Sequence, residues 1–352
     1  MKSWAKVSLA LLVMVALLAG VGVWYAWNGL KPMPAQESQV KLTIERGSGP
    51  SVIASQLEQA GIIRNSFLFK SYLKMNNEGA RFQAGTYAFQ PGVTLDEIIR
   101  KLNAGDVLKD EMIRFTVPEG YTVTQMADKL SKEGYVERSH FLQLVNDKAW
   151  LKGRTTLFDA IPDSNLIMHQ LEGYLFPETY ELKKESAAED IVLRMIKETE
   201  KRLDDASPQW QADMKKQGLD LHELLTIASL IEREVVVDEE RPLVAGVIYN
   251  RIKKGMRLQI DATVQYALDK PKERLYYKDL GIDSPYNTYK IEGLPPGPIA
   301  SPSVASIKAA LQPEASEYLF YVTKKDGTSG HLFAKTFAEH ERNIEKSKQQ
   351  AK

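Results

Sequence analysis

The chain has 352 residues, which allows about two domains and an additional anchoring segment. The charges of its 46 basic and 46 acidic residues cancel. The sequence has no long basic run of the kind that indicates a nucleic-acid-binding protein. Cysteine is absent, which excludes disulfides, thiolate zinc sites and a cysteine nucleophile. The five histidines are scattered without metal-ligand spacing, so we expect neither a metal ion nor a cofactor.

The N-terminal segment predicts a transmembrane helix. Residues Val7–Trp27 form a run of 21 residues without a charge, preceded by Lys2 and Lys6. This length spans a bilayer, and the lysines predict that the tail, residues 1–6, is cytoplasmic and that the rest of the protein lies outside the cell membrane. A cleaved signal peptide is the alternative, although its apolar core is normally about 7–15 residues long.

A polar linker, residues 28–39, leads to an internal repeat. A strand pattern, a glycine turn and an amphipathic helix pattern begin at Leu42 and again, at an offset of 73 residues, at Phe115. A shorter copy begins at Tyr87. Such βα units pack against one another into a small α+β module. The arrangement resembles a LysM-like peptidoglycan-binding module, which we place at residues 40–110, and a module that serves only as a scaffold is the alternative.

One carboxyl group ends an apolar helical stripe. Leu225, Ala228 and Glu232 lie on one face of a predicted helix, and that face packs inward. Desolvation raises the pKa of a carboxyl group held in such a place, as a general acid requires near neutral pH. The alternative is a structural glutamate that caps the helix or forms a salt bridge with a nearby arginine, the candidates being Arg233, Arg241 and Arg251.

Three later segments carry side chains suited to a sugar ligand. The segment Leu171–Tyr180 groups aromatic and acidic side chains around a glycine and a proline, and aromatic faces stack on pyranose rings. In 257–261 a period of two predicts a strand whose polar side chains share one face. The turn Tyr286–Tyr289 and the proline-rich loop Gly293–Pro302 follow. Core packing and plain solvent exposure are the alternatives for these segments.

Taken together, these motifs resemble the endolytic murein transglycosylases of the MltG (YceG-like) type over essentially the whole chain. The resemblance depends on the anchor, the LysM-like module and a series of ordered motifs: Leu171-Glu172-Gly173-Tyr174, Ala228-Ser229 with Ile231-Glu232, Asn250-Arg251, Met256-Arg257-Leu258-Gln259 with Asp261, Tyr286-Asn287-Thr288-Tyr289, Gly293-Leu294-Pro295-Pro296-Gly297, and His331 near Phe333.

The resemblance implies an α+β protein with a single N-terminal transmembrane helix, the LysM-like module and an α+β YceG-like catalytic domain at residues 111–345. It implies a lytic transglycosylase that cuts peptidoglycan glycan strands with Glu232 as the catalytic residue. Penicillin-binding proteins of wall synthesis are the expected partners. The expected substrate-binding residues are Glu172, Tyr174, Arg257, Gln259, Asp261, Tyr286, Asn287, Thr288 and Tyr289.

Two other functions stay open from the sequence. A lysozyme-like muramidase would need a second carboxylate beside Glu232, and Asp261 is the candidate. A non-catalytic wall-binding scaffold would use the anchor and the LysM-like module but would leave Glu232 without a role.

Overall fold

A computed structural model describes residues 2–34, 38–108, 111–268, 270 and 272–350. The protein is a mixture of helix and sheet that divides into two compact units, Met1–Asp110 and Glu111–Lys352. Residues 35–37 of the predicted linker and residues 109–110, at the end of the predicted LysM-like module, lie outside the described residues, as do the side chains of the lysines before the anchor.

The first unit begins with a long apolar helix, α1, Lys2–Gly29. Its segment Leu11–Gly29 has 19 residues and is apolar enough to cross a membrane, as a signal sequence would also be. At 1.5 Å per residue this segment is about 28 Å long, close to the thickness of a bilayer core. The large apolar side chains described in α1 are exposed rather than packed in a protein core.

A small α/β layer follows in the same unit. Its elements are β1 (Val40–Ile44), α2 (Pro50–Gln59), α3 (Ser66–Met75), β2 (Gly85–Phe89) and α4 (Leu95–Ala104). Strands β1 and β2 are antiparallel, with Val40 opposite Phe89. Caps define the helix ends: the Asn65 side chain accepts a hydrogen bond from Leu68 N at the start of α3, and Gly105 ends α4 with a left-handed φ of 64°.

The second unit opens with a similar order of elements and one additional short helix. These are β3 (Met112–Thr116), α5 (Val123–Lys132), α6 (Arg138–Leu144), α7 (Lys148–Leu151), β4 (Thr179–Lys183) and α8 (Ala188–Ala206). Strands β3 and β4 are antiparallel, with Met112 opposite Lys183. The repeat that begins at Leu42 and at Phe115 therefore forms a strand followed by helices in both places. The shorter copy at Tyr87 forms β2 followed by α4.

The two strand pairs repeat details as well as order. The hydroxyls of Thr43 and Thr86 lie 3.0 Å apart across β1 and β2, and those of Thr116 and Thr179 lie 2.9 Å apart across β3 and β4. Directly after each second threonine, a buried tyrosine donates its hydroxyl to a carbonyl four residues earlier. In addition to its backbone hydrogen bonds, each strand pair thus has one contact between two threonine hydroxyls and one hydrogen bond from a tyrosine hydroxyl.

The remaining elements enclose a central buried helix. They are α9 (Trp210–Gln217), α10 (Leu221–Glu234), α11 (Arg241–Lys253), α12 (Asp261–Ala267), α13 (Val304–Leu311), β5 (Phe320–Thr323), β6 (His331–Ala334) and α14 (Phe337–Gln350). Strands β5 and β6 form an antiparallel pair. Helix α10 packs against α11, α12 and α13, and its apolar residues from Leu224 to Ile231 are fully buried. Its C-terminal end is therefore fixed on several sides.

The predicted strand at 257–261 does not form. Leu258 and Ile260 are buried and their neighbours are exposed, as the alternation predicts, but Gln259 has a φ of +50°. That left-handed backbone is incompatible with a continuous strand. The Gln259 amide donates to the carbonyl of Thr288, and Asp261 already begins α12.

Candidate active site

Glu232 lies in the last turn of α10. The helix begins with a capping box in which Asp220 and Glu223 bond each other's backbone amides. Leu225 and Ala228, one and two turns before Glu232, are fully buried. The Glu232 side chain is 7% exposed, so the carboxyl group at the end of α10 is nearly removed from water.

One oxygen of Glu232 is held by four donors. Its Oε2 accepts hydrogen bonds from Ser303 N at 2.9 Å, Ser303 Oγ at 2.5 Å, Ser306 Oγ at 2.8 Å and Arg241 Nη1 at 3.4 Å. Ser303 is the N-cap of α13, so the carboxyl group also faces the positive end of that helix. Oε1 accepts no hydrogen bond from the described residues and is not an enclosed atom, which leaves it open to a ligand.

Arg241 is the arginine that pairs with Glu232. It is buried, and it also donates to Ser306 Oγ at 2.6 Å and to Asp238 at 2.8 Å. Arg233 instead donates to the Gly120 carbonyl, and Arg251 donates to backbone carbonyls, including that of Leu258. The structural salt bridge considered for Glu232 thus exists with Arg241, but it engages only Oε2.

A second acid, Glu119, lies beside Glu232 and was missed by the sequence reasoning. The loop that carries Glu119 is held against α10, because Arg233 of that helix donates to the Gly120 carbonyl at 3.1 Å. The Gly120 amide also donates to the carbonyl of Ser301, in the loop before α13. A Cβ atom at Gly120 would lie 3.9 Å from Glu232 Cγ. Partial desolvation and then the negative charge of Glu232 raise the pKa of the exposed Glu119, while Arg241 opposes the shift. The Pro-Glu-Gly turn at 118–120 is the one local signal of this loop.

Two further titratable pairs surround the end of α10. Tyr321 donates its hydroxyl to Glu234 Oε2 at 2.9 Å, and burial raises the pKa of Glu234 to about 7. Asp261 adds to that shift by its negative charge. His331 is buried, its Nδ1 lies 2.6 Å from Glu240 Oε2, and its ring lies 5.4 Å from that of Tyr321. A carboxylate at Nδ1 orients the imidazole and favours the tautomer protonated there.

Of the predicted substrate-binding residues, five are buried and bonded within the protein. Glu172 accepts hydrogen bonds from Val123 N at 3.0 Å and from the Tyr266 hydroxyl at 3.0 Å, and burial raises its pKa to about 8. It therefore satisfies the N-terminus of α5. The Tyr174 hydroxyl lies 2.9 Å from His222 Nδ1 and donates to the Ala160 carbonyl.

The other three buried residues, Tyr286, Asn287 and Thr288, lie in a turn that packs against the backbone just before Asp261. Asn287 donates to the carbonyls of Leu280 and Ile282, and Thr288 Oγ1 accepts a hydrogen bond from Ile260 N at 2.9 Å. Tyr286 is fully buried as well. These contacts fix the backbone that leads into α12, so the turn supports neighbouring residues rather than presenting its own side chains.

The remaining four predicted residues are accessible and lie together. Arg257 donates to the Tyr289 carbonyl at 3.2 Å, and the Tyr289 hydroxyl donates to Asp261 Oδ1 at 2.6 Å. Arg257, Gln259 and Asp261 are exposed, and Tyr289 is half-buried. Asp261 begins α12, which packs against α10, so this cluster lies near the helix that carries Glu232. Among the described residues no three His, Asp or Glu side chains converge as a metal site.

Comparison with known proteins identifies the family. Residues 42–346 match the YceG-like family. The chain is 38% identical over 336 residues to the endolytic murein transglycosylase of Bacillus subtilis, covering 94% of this chain and 91% of that relative. It is 33% identical over 360 residues to the endolytic murein transglycosylase of Streptococcus pneumoniae strain D39, covering 96% of this chain but only 64% of that longer relative.

A solved structure agrees with these relatives. A crystal structure of a yceG-like protein from Listeria monocytogenes, 36% identical, matches with a TM-score of 0.59 and covers 87% of this chain and 99% of its own. The fold of this chain thus agrees with the family that its sequence matches. The chain belongs to the YceG-like family, and the membership predicted from its motifs is confirmed.

Proposed function

We propose that this protein is an endolytic peptidoglycan lytic transglycosylase that cleaves the β-1,4 bond between N-acetylmuramic acid and N-acetylglucosamine. The observation that carries the proposal is the carboxyl group of Glu232, nearly buried, held at Oε2 and open at Oε1. The similarity to the endolytic murein transglycosylases of Bacillus subtilis and Streptococcus pneumoniae supports the same activity.

One carboxyl group completes this reaction because no water is consumed. Protonated Glu232 gives its proton to the glycosidic oxygen as the bond from C1 of the muramyl residue to that oxygen breaks. The carboxylate then takes the proton of the muramyl 6-hydroxyl as O6 bonds to C1. The products are a free 4-hydroxyl and a 1,6-anhydro end, and Glu232 regains its proton.

The surroundings of Glu232 suit these two proton transfers. Ser303, Ser306 and Arg241 fix Oε2, so Oε1 exchanges the proton without rotation of the carboxyl group. Arg241 also offsets the negative charge that Glu232 carries between the two steps. Glu119 is positioned by its loop to bond a sugar hydroxyl beside the cleaved bond.

We assign the accessible cluster of Arg257, Gln259, Asp261 and Tyr289 to glycan binding. Its donors and acceptors match hydroxyl and N-acetyl groups. The buried residues Glu172, Tyr174, Tyr286, Asn287 and Thr288 we assign to positioning the loops that carry this cluster, since their polar atoms are already bonded within the protein.

The rest of the chain fits an enzyme held at its substrate. Residues 7–27 would anchor it in the cell membrane with a cytoplasmic N-terminus, and the β-α-α-β unit within 40–110 would act as the LysM-like module that precedes a catalytic domain at 111–345. Cleavage would end nascent strands, and penicillin-binding proteins that make those strands are the proposed partners.

Mass spectrometry of the soluble products from purified glycan strands tests the proposal. We expect 1,6-anhydro-muramyl ends. Reducing muramyl ends would indicate a muramidase that uses Glu232 with Asp261, and the absence of cleavage would indicate a wall-binding scaffold, so either result would overturn the proposed reaction.

A further inference from the structure

Helix α3 has an outward face with an unusual composition. Phe67, Lys70, Ser71, Lys74 and Met75 recur at three- and four-residue intervals and so share one side of the helix. Phe67 is 69% exposed and Met75 is 83% exposed. The opposite side buries Leu68, Phe69 and Leu73 in the core of the first unit. Two large apolar side chains and two lysines therefore face outward together.

This face begins at the end of the apolar helix α1. The Asn65 side chain donates to the Tyr25 hydroxyl at 3.1 Å, and the Arg64 guanidinium donates to the Pro32 carbonyl at 3.2 and 3.3 Å. Leu68 packs closely on Gly29, since a Cβ atom added at Gly29 would overlap Leu68 Cδ1. The start of α3 is thus held tightly against the last turn of α1.

The end of α1 carries the side chains of a membrane–water boundary. Trp24, Tyr25 and Trp27 are exposed there, and Lys31 lies 3.4 Å over the Trp27 ring. Aromatic side chains of this kind concentrate at the headgroup level of bilayers. Phe67, in the first turn of α3 beside this end of α1, is consequently placed at the same level.

We propose that the outward face of α3 lies on the outer surface of the bilayer that α1 crosses, with Phe67 inserted at the boundary between headgroups and acyl chains. Lys70 and Lys74 bind the phosphates of anionic phospholipids, as the basic residues of interfacial helices do. This inference deepens the proposed membrane anchoring and depends on it. In this arrangement the first unit is in direct contact with the membrane surface, rather than connected to the membrane only through a flexible linker.

The absence of cysteine allows a direct test with single cysteine variants of the full chain. Phe67→Cys, carrying a nitroxide label, is reconstituted in nanodiscs of anionic phospholipid, and its collisions with oxygen and with a water-soluble nickel chelate are measured. Val52→Cys is the matched control, since Val52 is apolar and 51% exposed on α2 of the same unit. Leu17→Cys reports on α1 itself.

We expect the label at 67 to lose collisions with nickel and gain collisions with oxygen relative to the label at 52. Charge reversal by Lys70→Glu with Lys74→Glu should move the label at 67 toward water, whereas Lys41→Glu with Arg46→Glu, on exposed positions of the same unit, should not. A label at 67 as water-exposed as that at 52, with Leu17 in the bilayer, overturns the docking face alone. A water-exposed Leu17 overturns the anchor and this inference together.

Discussion

Replacing Glu172 by glutamine should remove a large pH dependence from the stability of the protein. Burial raises the pKa of Glu172 from its ordinary 4.5 to about 8, so the folded protein holds this proton more tightly than the unfolded chain does. The resulting stabilisation is complete below about pH 4.5 and is lost as the pH rises to about 8. At 1.36 kcal/mol per pH unit the loss is at most about 5 kcal/mol.

Glutamine keeps a carbonyl oxygen for Val123 N or the Tyr266 hydroxyl but does not titrate. Urea unfolding of both proteins at pH 5 and pH 9 therefore measures the effect of this one group by difference. The free energy of unfolding of Glu172→Gln, minus that of the wild type, should increase by several kcal/mol between the two pH values. The exposed Glu239→Gln is the control and should give a constant difference. A constant difference for Glu172→Gln would refute the buried, proton-holding role that we assign to this residue.

Three more predictions concern the surroundings of Glu232. Ser303→Ala removes the hydrogen bond from the serine hydroxyl to the Glu232 carboxylate, and such a bond to a charged group is worth about 1.5–3 kcal/mol. The kcat should therefore fall about 10- to 100-fold, whereas Ser303→Thr should retain activity. An unchanged kcat for the alanine variant would contradict the account. In Glu232→Gln the pKa of Glu119 should fall, because the charge that helps to raise it is gone, and a carboxyl NMR titration that shows no change would disprove their proximity. Asp261→Asn keeps an acceptor for the Tyr289 hydroxyl, and it should weaken cleavage but still give only anhydro products; a change in product type would assign Asp261 a role in the chemistry.

The sequence predicted the parts of the site that depend on local periodicity. The helical stripe of Leu225, Ala228 and Glu232 forms as expected. Local spacing was sufficient there because a helix fixes which residues share a face. The alternating burial of Leu258 and Ile260 was also predictable, although the strand was not.

The features of the site that the sequence did not predict depend on contacts between segments that lie far apart along the chain. The left-handed backbone of Gln259 is stabilised by a hydrogen bond to Thr288, which no local pattern shows. The loop of Glu119 is held near Glu232 by the hydrogen bonds of Gly120 with Ser301 and Arg233, both far away along the chain. A polar side chain such as that of Asn287 is normally expected at the surface, yet Asn287 is buried here and donates to the backbone carbonyls of Leu280 and Ile282.

The central claim is that Glu232 carries the proton through both steps, and the measurement that tests it most directly is glycan-strand cleavage by Glu232→Gln. The amide is nearly isosteric and cannot cycle a proton, so the variant should fold like the wild type and release no anhydro products. Glu239→Gln, an exposed glutamate after the same helix, should cleave normally. A folded Glu232→Gln protein that releases anhydro ends at the wild-type rate would contradict the mechanism.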